Sequence, residues 1–261
     1  MMLEKLFTMR DKVCVVTGGS RGLGLYMAHG FLEAGAKRVY ITARKAEACR
    51  ETAEQLSAYG ECVALPGDIS SPQEIESLAA ALSAKEEHID VLVNNAGAAW
   101  AAKLGEFPEK GWDKVMDLNV KAPFFLTQAL LPLLKKGAKA DATTSIINIG
   151  SIAGIVGESI MSYSYGPSKA AIHQLTRHLA KDLADDHIRV NAIAPGRFFS
   201  KMTEYASQDK AVYEAECASI PLHRWGGETD IAGVAIMLCS SAGAFITGQI
   251  LAVDGGMTLV A

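Results

Sequence analysis

Short apolar runs alternate with longer segments of helical periodicity through the whole 261-residue chain. The runs are mostly continuous rather than alternating, which is typical of parallel strands covered on both faces. They predict strands at V-C-V-V-T (13–17), V-Y-I-T (39–42), C-V-A-L (62–65), V-L-V (91–93), I-I-N-I (146–149), V-N-A-I (190–193) and I-L-A-V (250–253). Helices are predicted near 22–34, 45–58, 71–86, 110–135, 165–185 and 228–239. This alternation indicates βαβ units in a doubly wound, parallel, seven-stranded sheet with helices on both faces.

Two parts of the chain depart from this regularity. Pro123 and Pro132 predict that the 110–135 segment is interrupted or kinked, because proline removes a helical hydrogen bond. The region 197–220 breaks the alternation and is interpreted as an inserted lid. There is no linker-like stretch, internal repeat or low-complexity segment, so one domain over residues 1–261 is expected.

Composition narrows the functional classes. Hydrophobic residues make up 49% and charged residues 21%, as in a globular α/β protein. The net charge of −4 offers no basic surface for nucleic acid or for an anionic membrane. Five scattered cysteines without a Cys-x-x-Cys pair favour reduced thiols, and no apolar stretch approaches the ~20 residues of a membrane span. A cytoplasmic protein is expected, and six histidines without metal-ligand spacing predict no metal site.

A glycine-rich segment, T-G-G-S-R-G-L-G (17–24), follows the first strand and opens the first helix. Gly18, Gly22 and Gly24 have the spacing G-x-x-x-G-x-G. Glycines allow the backbone to approach a pyrophosphate, and the helix N-terminus presents free N–H groups. Three glycines also fit a purely structural turn, but their place after the first strand of a βαβ series favours a dinucleotide site.

The end of the second strand predicts which dinucleotide binds. An acidic residue there would bind the ribose 2′-hydroxyl, whereas arginine accommodates a 2′-phosphate. The chain has T-A-R-K (42–45), with Arg44 and no carboxylate nearby, and Arg21 lies in the glycine-rich segment. Either arginine alone could be a solvated surface charge. The two together favour NADP.

The stretch Y-S-Y-G-P-S-K (163–169) places two tyrosines before one lysine, at the start of an amphipathic helix. Tyr165 lies four residues before Lys169 and therefore on nearly the same helical face, whereas Tyr163 lies six before it. An ammonium beside a phenol stabilises the phenolate and lowers the tyrosine pKa from ~10, so Tyr165 is the candidate proton donor. Because Tyr-x-x-x-Lys also occurs by chance, it needs companions.

The companions lie at one edge of the predicted sheet. Ser151 follows the fifth strand, V-L-V-N-N-A-G (91–97) ends the fourth, and ligands of open α/β sheets bind at this carboxyl edge. Asn119 is a polar residue among apolar neighbours in a helical segment. With T-G-G-S-R-G-L-G, Asp68-Ile69 and P-G (195–196), these motifs make the chain resemble the classical short-chain dehydrogenase/reductase family over essentially its whole length.

The resemblance implies a single-domain Rossmann fold and a role for each site residue. Tyr165 would donate the proton, Ser151 would hydrogen-bond the carbonyl, and Lys169 would hold the nicotinamide ribose. Asn119 would complete the catalytic set through a proton-relay water. Asp68 and Ile69 would lie by the adenine, Asn95 by the adenosine ribose, and the Phe198 backbone by the carboxamide. The NADP-binding set so implied is Gly18, Ser20, Arg21, Gly22, Leu23, Gly24, Arg44, Asp68, Ile69, Asn95, Ala96, Gly97, Tyr165, Lys169, Pro195, Gly196, Phe198 and Ser200.

One interval departs from the family pattern. Ser151 and Tyr165 are 14 residues apart, one more than in many members, so the 152–164 loop should differ in shape. Tyr163 would give a shorter interval, but Lys169 would then be misplaced. The position of Lys169 therefore favours Tyr165 as the proton donor.

Within the family, the chain is most similar to bacterial NADPH-dependent 3-oxoacyl reductases of the rhamnolipid-biosynthesis type. The shared stretches are S-A-Y-G (57–60), Y-G-P-S-K-A-A, A-P-G-R-F and S-I-P-L-x-R-W-G (219–226). A hydrophobic ketone or 3-oxoacyl substrate is expected, in a pocket lined by Trp100, Phe198, Phe199, Met202, Tyr205 and Tyr213. A broad-specificity carbonyl reductase on non-acyl substrates is the alternative, and a non-catalytic NADP-binding regulator is a remote one.

The resemblance also implies a homo-oligomer, dimer or tetramer, in which the 110–135 and 165–185 helices pack across a two-fold axis. The last segment, I-T-G-Q-I-L-A-V-D-G-G (246–256), is similar to the family's last strand and tetramer contact. Docking of an acidic carrier protein stays open. Asp182, Asp185 and Asp186 follow the catalytic helix, whereas Lys135, Lys136 and Lys139 supply positive charge elsewhere.

Overall fold

A computed structural model describes residues 2–157, 161–199, 203 and 209–260. Within them lies one sheet of seven parallel strands, in the order β3-β2-β1-β4-β5-β6-β7. The strands are β1 (Val13–Thr17), β2 (Arg38–Thr42), β3 (Cys62–Ala64), β4 (Val91–Asn94), β5 (Thr144–Ile149), β6 (Ile188–Pro195) and β7 (Ile250–Val253). Every predicted strand is therefore present.

The strand order reverses beside β1. This strand pairs with β2 on one side and with β4 on the other, so that the two halves of the chain build the sheet outward in opposite directions. A crevice opens at the carboxyl ends of the strands where the order reverses, and it is the usual ligand site of such sheets. Thr17 and Asn94, the last residues of β1 and β4, are the strand ends at this crevice.

The described helices account for the predicted helical segments and add short ones. They are α1 (Met2–Leu6), α2 (Gly22–Glu33), α3 (Ala46–Leu56), α4 (Pro72–Ser83), α5 (Glu109–Met116), α6 (Ala122–Gly137), α7 (Tyr165–Asp182), α8 (Lys210–Ala218), α9 (Glu228–Cys239) and α10 (Met257–Val260). Helix α8 lies inside the predicted lid. Short 3₁₀ turns span Leu104–Glu106, Ile152–Gly154 and Ser241–Gly243. No helix among the described residues is long and apolar enough to cross a membrane.

The core has one layer on each face of the sheet. Cys14 and Val16 of β1 belong to the layer that contains residues of α2, α3 and α9. Val13 and Val15 of the same strand belong to the opposite layer, with residues of α4, α6 and α7. Alternate residues of β1 are thus buried on opposite faces, which explains why the strand sequences are continuously apolar. The predicted doubly covered, single-domain Rossmann fold is confirmed.

The predicted interruption of the 110–135 segment is present, but not at the prolines. Helix α5 ends at Met116, and a π-helical turn, Asp117–Lys121, separates it from α6. Pro123 lies in the first turn of α6, directly after Ala122, whose N–H bonds back to the Asp117 carbonyl oxygen of the π turn. Pro132 lies inside α6, which continues to Gly137. The break thus occurs at the π turn that holds Asn119.

Candidate functional site

A cavity of ≈ 470 Å³ opens at the carboxyl ends of the strands. The predicted site residues that line it are Gly18, Ser20, Arg21, Gly22, Leu23, Arg44, Asp68, Ile69, Asn95, Ala96, Gly97, Ser151, Tyr165, Lys169, Pro195, Gly196 and Phe198. Gly24 and Asn119 do not line the cavity, but they contact residues that do: Gly24 lies against Gly18, and Asn119 lies near Gly97. Ser200 lies outside the described residues. The chain thus brings both predicted ends of the site, the glycine-rich segment and the tyrosine–lysine pair, to one cavity.

The glycine-rich turn needs glycine for two different reasons. Gly18 and Gly22 have φ of 65° and 53°, a left-handed conformation that other residues rarely adopt. Gly24 has no such requirement, but a Cβ there would lie 2.4 Å from the Gly18 carbonyl oxygen and 2.5 Å from Asn95 Nδ2. The turn is therefore packed tightly enough to hold the N-terminus of α2 at the cavity, with its free N–H groups available to an anion.

Asn95 and Thr17 brace this turn from the neighbouring strands. The Asn95 side-chain amide donates to the carbonyl oxygens of Thr17 and Gly18, at 2.8 and 3.2 Å. The Thr17 hydroxyl accepts from the backbone N–H groups of Asn95 and Ala96, at 2.9 and 3.0 Å. These bonds fix the β1 and β4 ends against each other and so shape this wall of the cavity.

Cations gather at the end of β2. Arg44 and Lys45 are exposed at the cavity, and Arg21 lies beside them in the glycine-rich turn. Asp68, which also lines the cavity, accepts hydrogen bonds from the backbone N–H and the hydroxyl of Ser70, at 3.1 and 2.7 Å. This part of the cavity therefore presents positive charge to a ligand, and the Asp68 carboxylate is bound to its own loop.

The tyrosine–lysine pair lies at the other end of the cavity. Helix α7 begins at Tyr165, and the Lys169 ammonium lies 5.5 Å from the centroid of the Tyr165 ring. Lys169 is buried, and its Nζ donates to the Ile149 carbonyl oxygen at 2.8 Å. Burial lowers the pKa of Lys169 to about 8, so its cation is less stable than that of an exposed lysine.

The second tyrosine lies elsewhere. Tyr163 precedes the first residue of α7, and its ring makes an edge contact with Phe107, with the centroids 5.8 Å apart. It does not line the cavity. The placement agrees with the prediction that Tyr163 lies outside the regular helix and that Tyr165 faces Lys169.

Ser151 stands between β5 and a 3₁₀ turn. Its backbone is extended, with φ −170° and ψ 156°, and its hydroxyl accepts the N–H of Ala153 at 3.2 Å. The preceding residue, Gly150, donates its N–H to the Ile193 carbonyl oxygen at 2.7 Å. Ser151 is held by these bonds at the cavity wall, where its hydroxyl can still donate to a ligand oxygen.

Asn119 lies in the π turn and bonds to two neighbouring segments. Its Oδ1 accepts the Ala98 N–H at 2.8 Å, and its Nδ2 donates to the Ala98 carbonyl oxygen at 2.9 Å and to the Ser168 hydroxyl at 3.0 Å. Ser168 in turn donates to the Tyr165 carbonyl oxygen at 2.7 Å. Asn119 therefore ties the segment after β4 to the first turn of α7.

The predicted aromatic pocket is only partly present among the described residues. Phe198 lines the cavity, but the Trp100 ring lies against Gly111 and beneath the Lys114 ammonium, away from the lining. The prediction that Trp100 forms a pocket wall is therefore wrong, because its ring packs on α5. Phe199 and Tyr213 form an aromatic cluster with buried Trp225. Met202 and Tyr205 lie outside the described residues.

Several residues of the site were missed by the sequence analysis. Lys45 is a third cation at the end of β2, and the quoted T-A-R-K already contained it. Ser162 lines the cavity and donates to the Trp100 carbonyl oxygen at 2.8 Å. Arg197 lines it beside Gly196, with Nε 3.5 Å from Glu216 of α8. Ser162 and Arg197 lie in irregular segments, where no periodicity indicates which way a side chain points.

Known proteins match nearly the whole length of the chain. A family model described as Enoyl-(Acyl carrier protein) reductase matches residues 18–258. The rhamnolipids biosynthesis 3-oxoacyl-[acyl-carrier-protein] reductase of Pseudomonas aeruginosa is 51% identical over 257 residues, which are 98% of this chain and 100% of that protein. The 2-dehydro-3-deoxy-D-gluconate 5-dehydrogenase of Dickeya dadantii is 37% identical over 256 residues, with 98% of each covered. The solved Pseudomonas aeruginosa RhlG/NADP active-site complex has a TM-score of 0.95 at 50% identity and covers 97% of this chain and 98% of its own.

Proposed function

Because the chain belongs to the short-chain dehydrogenase/reductase family and is an oxidoreductase of that family, we propose that it uses NADPH to reduce the ketone of a hydrophobic 3-oxoacyl-type substrate to a secondary alcohol. One observation carries the proposal. The glycine-rich turn, with its cations, and the Tyr165–Lys169 pair open into the same cavity. A cofactor that spans this cavity would have its phosphate end at the turn and its reactive end at the pair.

The residues of the phosphate end fit NADP better than NAD. The turn at Gly18 and Gly22 and the N-terminus of α2 suit a pyrophosphate. Arg44, Lys45 and Arg21 provide charge-assisted donors for a 2′-phosphate. The solved relative with 50% identity is an NADP complex, which supports the same cofactor here. We assign the 2′-phosphate to the cations at the end of β2.

Three side chains carry the chemistry at the other end. NADPH supplies the hydride when bound. Tyr165 donates a proton to the carbonyl oxygen, and the nearby Lys169 ammonium stabilises the resulting tyrosinate. Ser151 donates a hydrogen bond to the same oxygen and so stabilises the charge that develops on it. Asn119 holds the first turn of α7 in place through Ser168, and family resemblance assigns it a further role in a proton relay.

The substrate class rests on the relatives and on the lid. The relative with 51% identity is named as a 3-oxoacyl-[acyl-carrier-protein] reductase, whereas the sugar-acid dehydrogenase is less similar, at 37%. The aromatic cluster of Phe199, Tyr213 and Trp225 supplies apolar surface beside the end of β6. We assign residues 197–220 as the lid over the acyl chain.

The proposal extends to the oligomeric state of the protein, its location and its docking of a carrier protein. We assign the protein to the cytoplasm and to a homo-oligomer, dimer or tetramer, as family resemblance implies. Docking of an acidic carrier is less favoured than the chemistry, because Lys135, one of the cations available for it, pairs with Asp186 at 2.8 Å. Carrier-linked and free 3-oxoacyl groups should therefore be reduced with similar kcat/KM values.

A substrate panel tests the proposal. The value of kcat/KM with NADPH would be measured for 3-oxoacyl thioesters, 3-oxo esters, keto-sugar acids and simple cyclic ketones. We expect the 3-oxoacyl thioesters to have the highest value. A preference for a keto-sugar acid would contradict the acyl assignment, equal values for all ketones would indicate a broad-specificity carbonyl reductase, and a large gain from a carrier would contradict the weak docking.

A further inference from the structure

A buried histidine lies beneath the turn that carries Ser151. His173 is one helical turn beyond Lys169 on α7 and is only 4% exposed. Its imidazole lies against the glycines on either side of the turn. A Cβ at Gly150 would be 2.0 Å from the ring Nε2, and a Cβ at Gly154 would be 2.9 Å from the ring Cε1. The ring and the two glycines are therefore shaped for each other, with no space for a side chain between them.

Helix α7 holds both ends of this turn. At the first end, Lys169 donates to the carbonyl oxygen of Ile149, directly before Gly150. At the second end, the His173 ring packs against Gly154, and a Cβ at Gly154 would lie 2.6 Å from the Lys169 carbonyl carbon. Lys169 and His173, one helical turn apart on α7, thus fix the turn, and Ser151, which lines the cavity, lies within it.

The charge state of His173 agrees with this role. Burial, together with the neighbouring charges of Lys169 and Arg177, lowers the pKa of His173 to about 4, although the nearby Gly154 backbone acts in the opposite direction. The ring is therefore neutral near pH 7, and no second buried cation competes with Lys169.

Apolar burial alone does not account for a histidine at this place. Nε2 lies against Gly150 and has no hydrogen-bond partner within the part of the chain that the structure describes. A buried polar atom without a partner destabilises the folded state, whereas a leucine would fill similar space with no polar atom. What the histidine adds over a leucine is a flat ring that fits between Gly150 and Gly154.

We propose that His173 is a positioning residue that holds the Ser151 hydroxyl in register with Tyr165 and Lys169. The inference rests on the proposed function, in which Ser151 binds the carbonyl oxygen. The imidazole supports both Gly150 and Gly154 by contact, so the loss of the ring would let the turn move. A displacement of ~1 Å in such a group can reduce turnover by about a hundredfold.

A double-mutant cycle distinguishes positioning from general destabilisation. His173→Leu should lower kcat by about tenfold and leave the NADPH Kd unchanged, whereas His178→Leu, at an exposed position of the same helix, should change neither. In a Ser151→Ala background, His173→Leu should lower the residual kcat by less than about twofold, because the hydroxyl it positions is already absent. An unchanged kcat, or the same loss in both backgrounds, would overturn the proposal.

Hydrogen exchange gives a measurement that needs no substrate. The amides of Gly150 and Gly154 bond to the carbonyl oxygens of Ile193 and Ser151, so a peptide that covers residues 149–154 reports on the turn. His173→Leu should speed exchange in this peptide and leave peptides of the glycine-rich segment unchanged. His173→Gln, which removes the ring but keeps a polar side chain, should also speed exchange in this peptide, and it serves as the main variant if His173→Leu does not fold. If exchange in this peptide is unchanged in a folded variant, the proposal is wrong. Accelerated exchange supports it even if the wild-type protein reduces no ketone, an outcome that would count against the proposed function only.

Discussion

The glycine-rich half of the cavity is shaped by main chain, whereas the half that holds Tyr165 and Lys169 is shaped by side chains from separate elements. In the first half, a Cβ at Gly24 would lie 2.4 Å from the Gly18 carbonyl oxygen, and a Cβ at Gly18 would lie 2.8 Å from Asn95 Nδ2 and 3.1 Å from the Ala96 Cα. Asn95 uses its side chain to hold carbonyl oxygens of this turn. In the second half, one helix carries a phenol and a buried ammonium, and a separate turn carries the serine hydroxyl.

This difference indicates in which half of the cavity the side chains can change among relatives. Main-chain contacts in the first half depend on glycine at fixed positions, so this half suits a ligand that stays the same. The second half places reactive groups on α7, and the substrate side that we propose, the segment after β6, is a connecting segment whose side chains can change without disturbing the sheet. Relatives named for 3-oxoacyl groups and for sugar acids can thus share one fold.

The largest expected effect distinguishes the roles of Tyr165 and Tyr163. Tyr165→Phe should lower kcat by roughly 10²–10⁴-fold while NADPH still binds, because only the proton donor is lost. Tyr163→Phe is the matched control and should keep most of the activity, since Tyr163 does not line the cavity. Steady-state kinetics and NADPH fluorescence titration would measure both. An inactive Tyr163→Phe with an active Tyr165→Phe would reverse the assignment.

The next effect tests the close packing of the glycine-rich half. Gly24→Ala should destabilise the protein by roughly 1–3 kcal/mol, because the new methyl group would meet the Gly18 carbonyl at 2.4 Å. Gly233→Ala, on α9 with open space around it, should instead stabilise the protein by about 0.5–1 kcal/mol through its helix propensity. Urea unfolding of both variants is the measurement. Equal effects would show that the turn tolerates a side chain and is not shaped by contact.

A third change tests the cations at the phosphate end. Arg44→Asp should lower kcat/KM for NADPH by about 10–100-fold and narrow or reverse the preference over NADH, because a charge-assisted bond to the 2′-phosphate is replaced by repulsion. Arg50→Asp, an exposed position on α3 away from the cavity, is the charge-matched control. Equal kcat/KM for the two cofactors in the wild-type protein would remove the assignment of the 2′-phosphate to these cations.

The smallest effect concerns the buried cation. The pKa of Lys169 is about 8 in the folded protein and 10.5 for an ordinary lysine, so the unfolded chain binds more protons between these values. The free energy of unfolding therefore rises with pH between about 8 and 10.5. Below this range the buried charge destabilises the folded state by its full amount. Without cofactor, Lys169→Met should be more stable than wild type by roughly 1–2 kcal/mol at about pH 7, after allowance for the lost bond to Ile149.

This advantage should shrink as the pH approaches about 10, because the lysine is largely neutral in the folded state there and most of the cost of the buried charge is gone. Urea unfolding of the two proteins at both pH values would measure it. A Lys169→Met variant that is less stable at both values would show that the ammonium contributes more through its bond to Ile149 than it costs through burial.

The fold could be predicted because its signals are periodic. Continuous apolar runs identified every strand. The four residues between Tyr165 and Lys169 place both on one face of α7, as predicted, because the helix begins at Tyr165. Irregular segments could not be predicted in the same way. The sequence gives Trp100 a place near the cavity, but only the contact with Gly111 directs its ring toward α5. The histidine beneath Ser151 was missed because nothing in a helical pattern indicates which turn will pack on it.

Hydride transfer is the central claim, and a labelling experiment tests it most directly. The protein would be incubated with a 3-oxoacyl thioester and, in separate reactions, with NADPH deuterated on one or the other face of nicotinamide C4. We predict one deuterium at C3 of the hydroxyacyl product with one of the two cofactors and none with the other, because a fixed cavity presents a single face. A product without deuterium from either cofactor, or no product at all, would contradict the account.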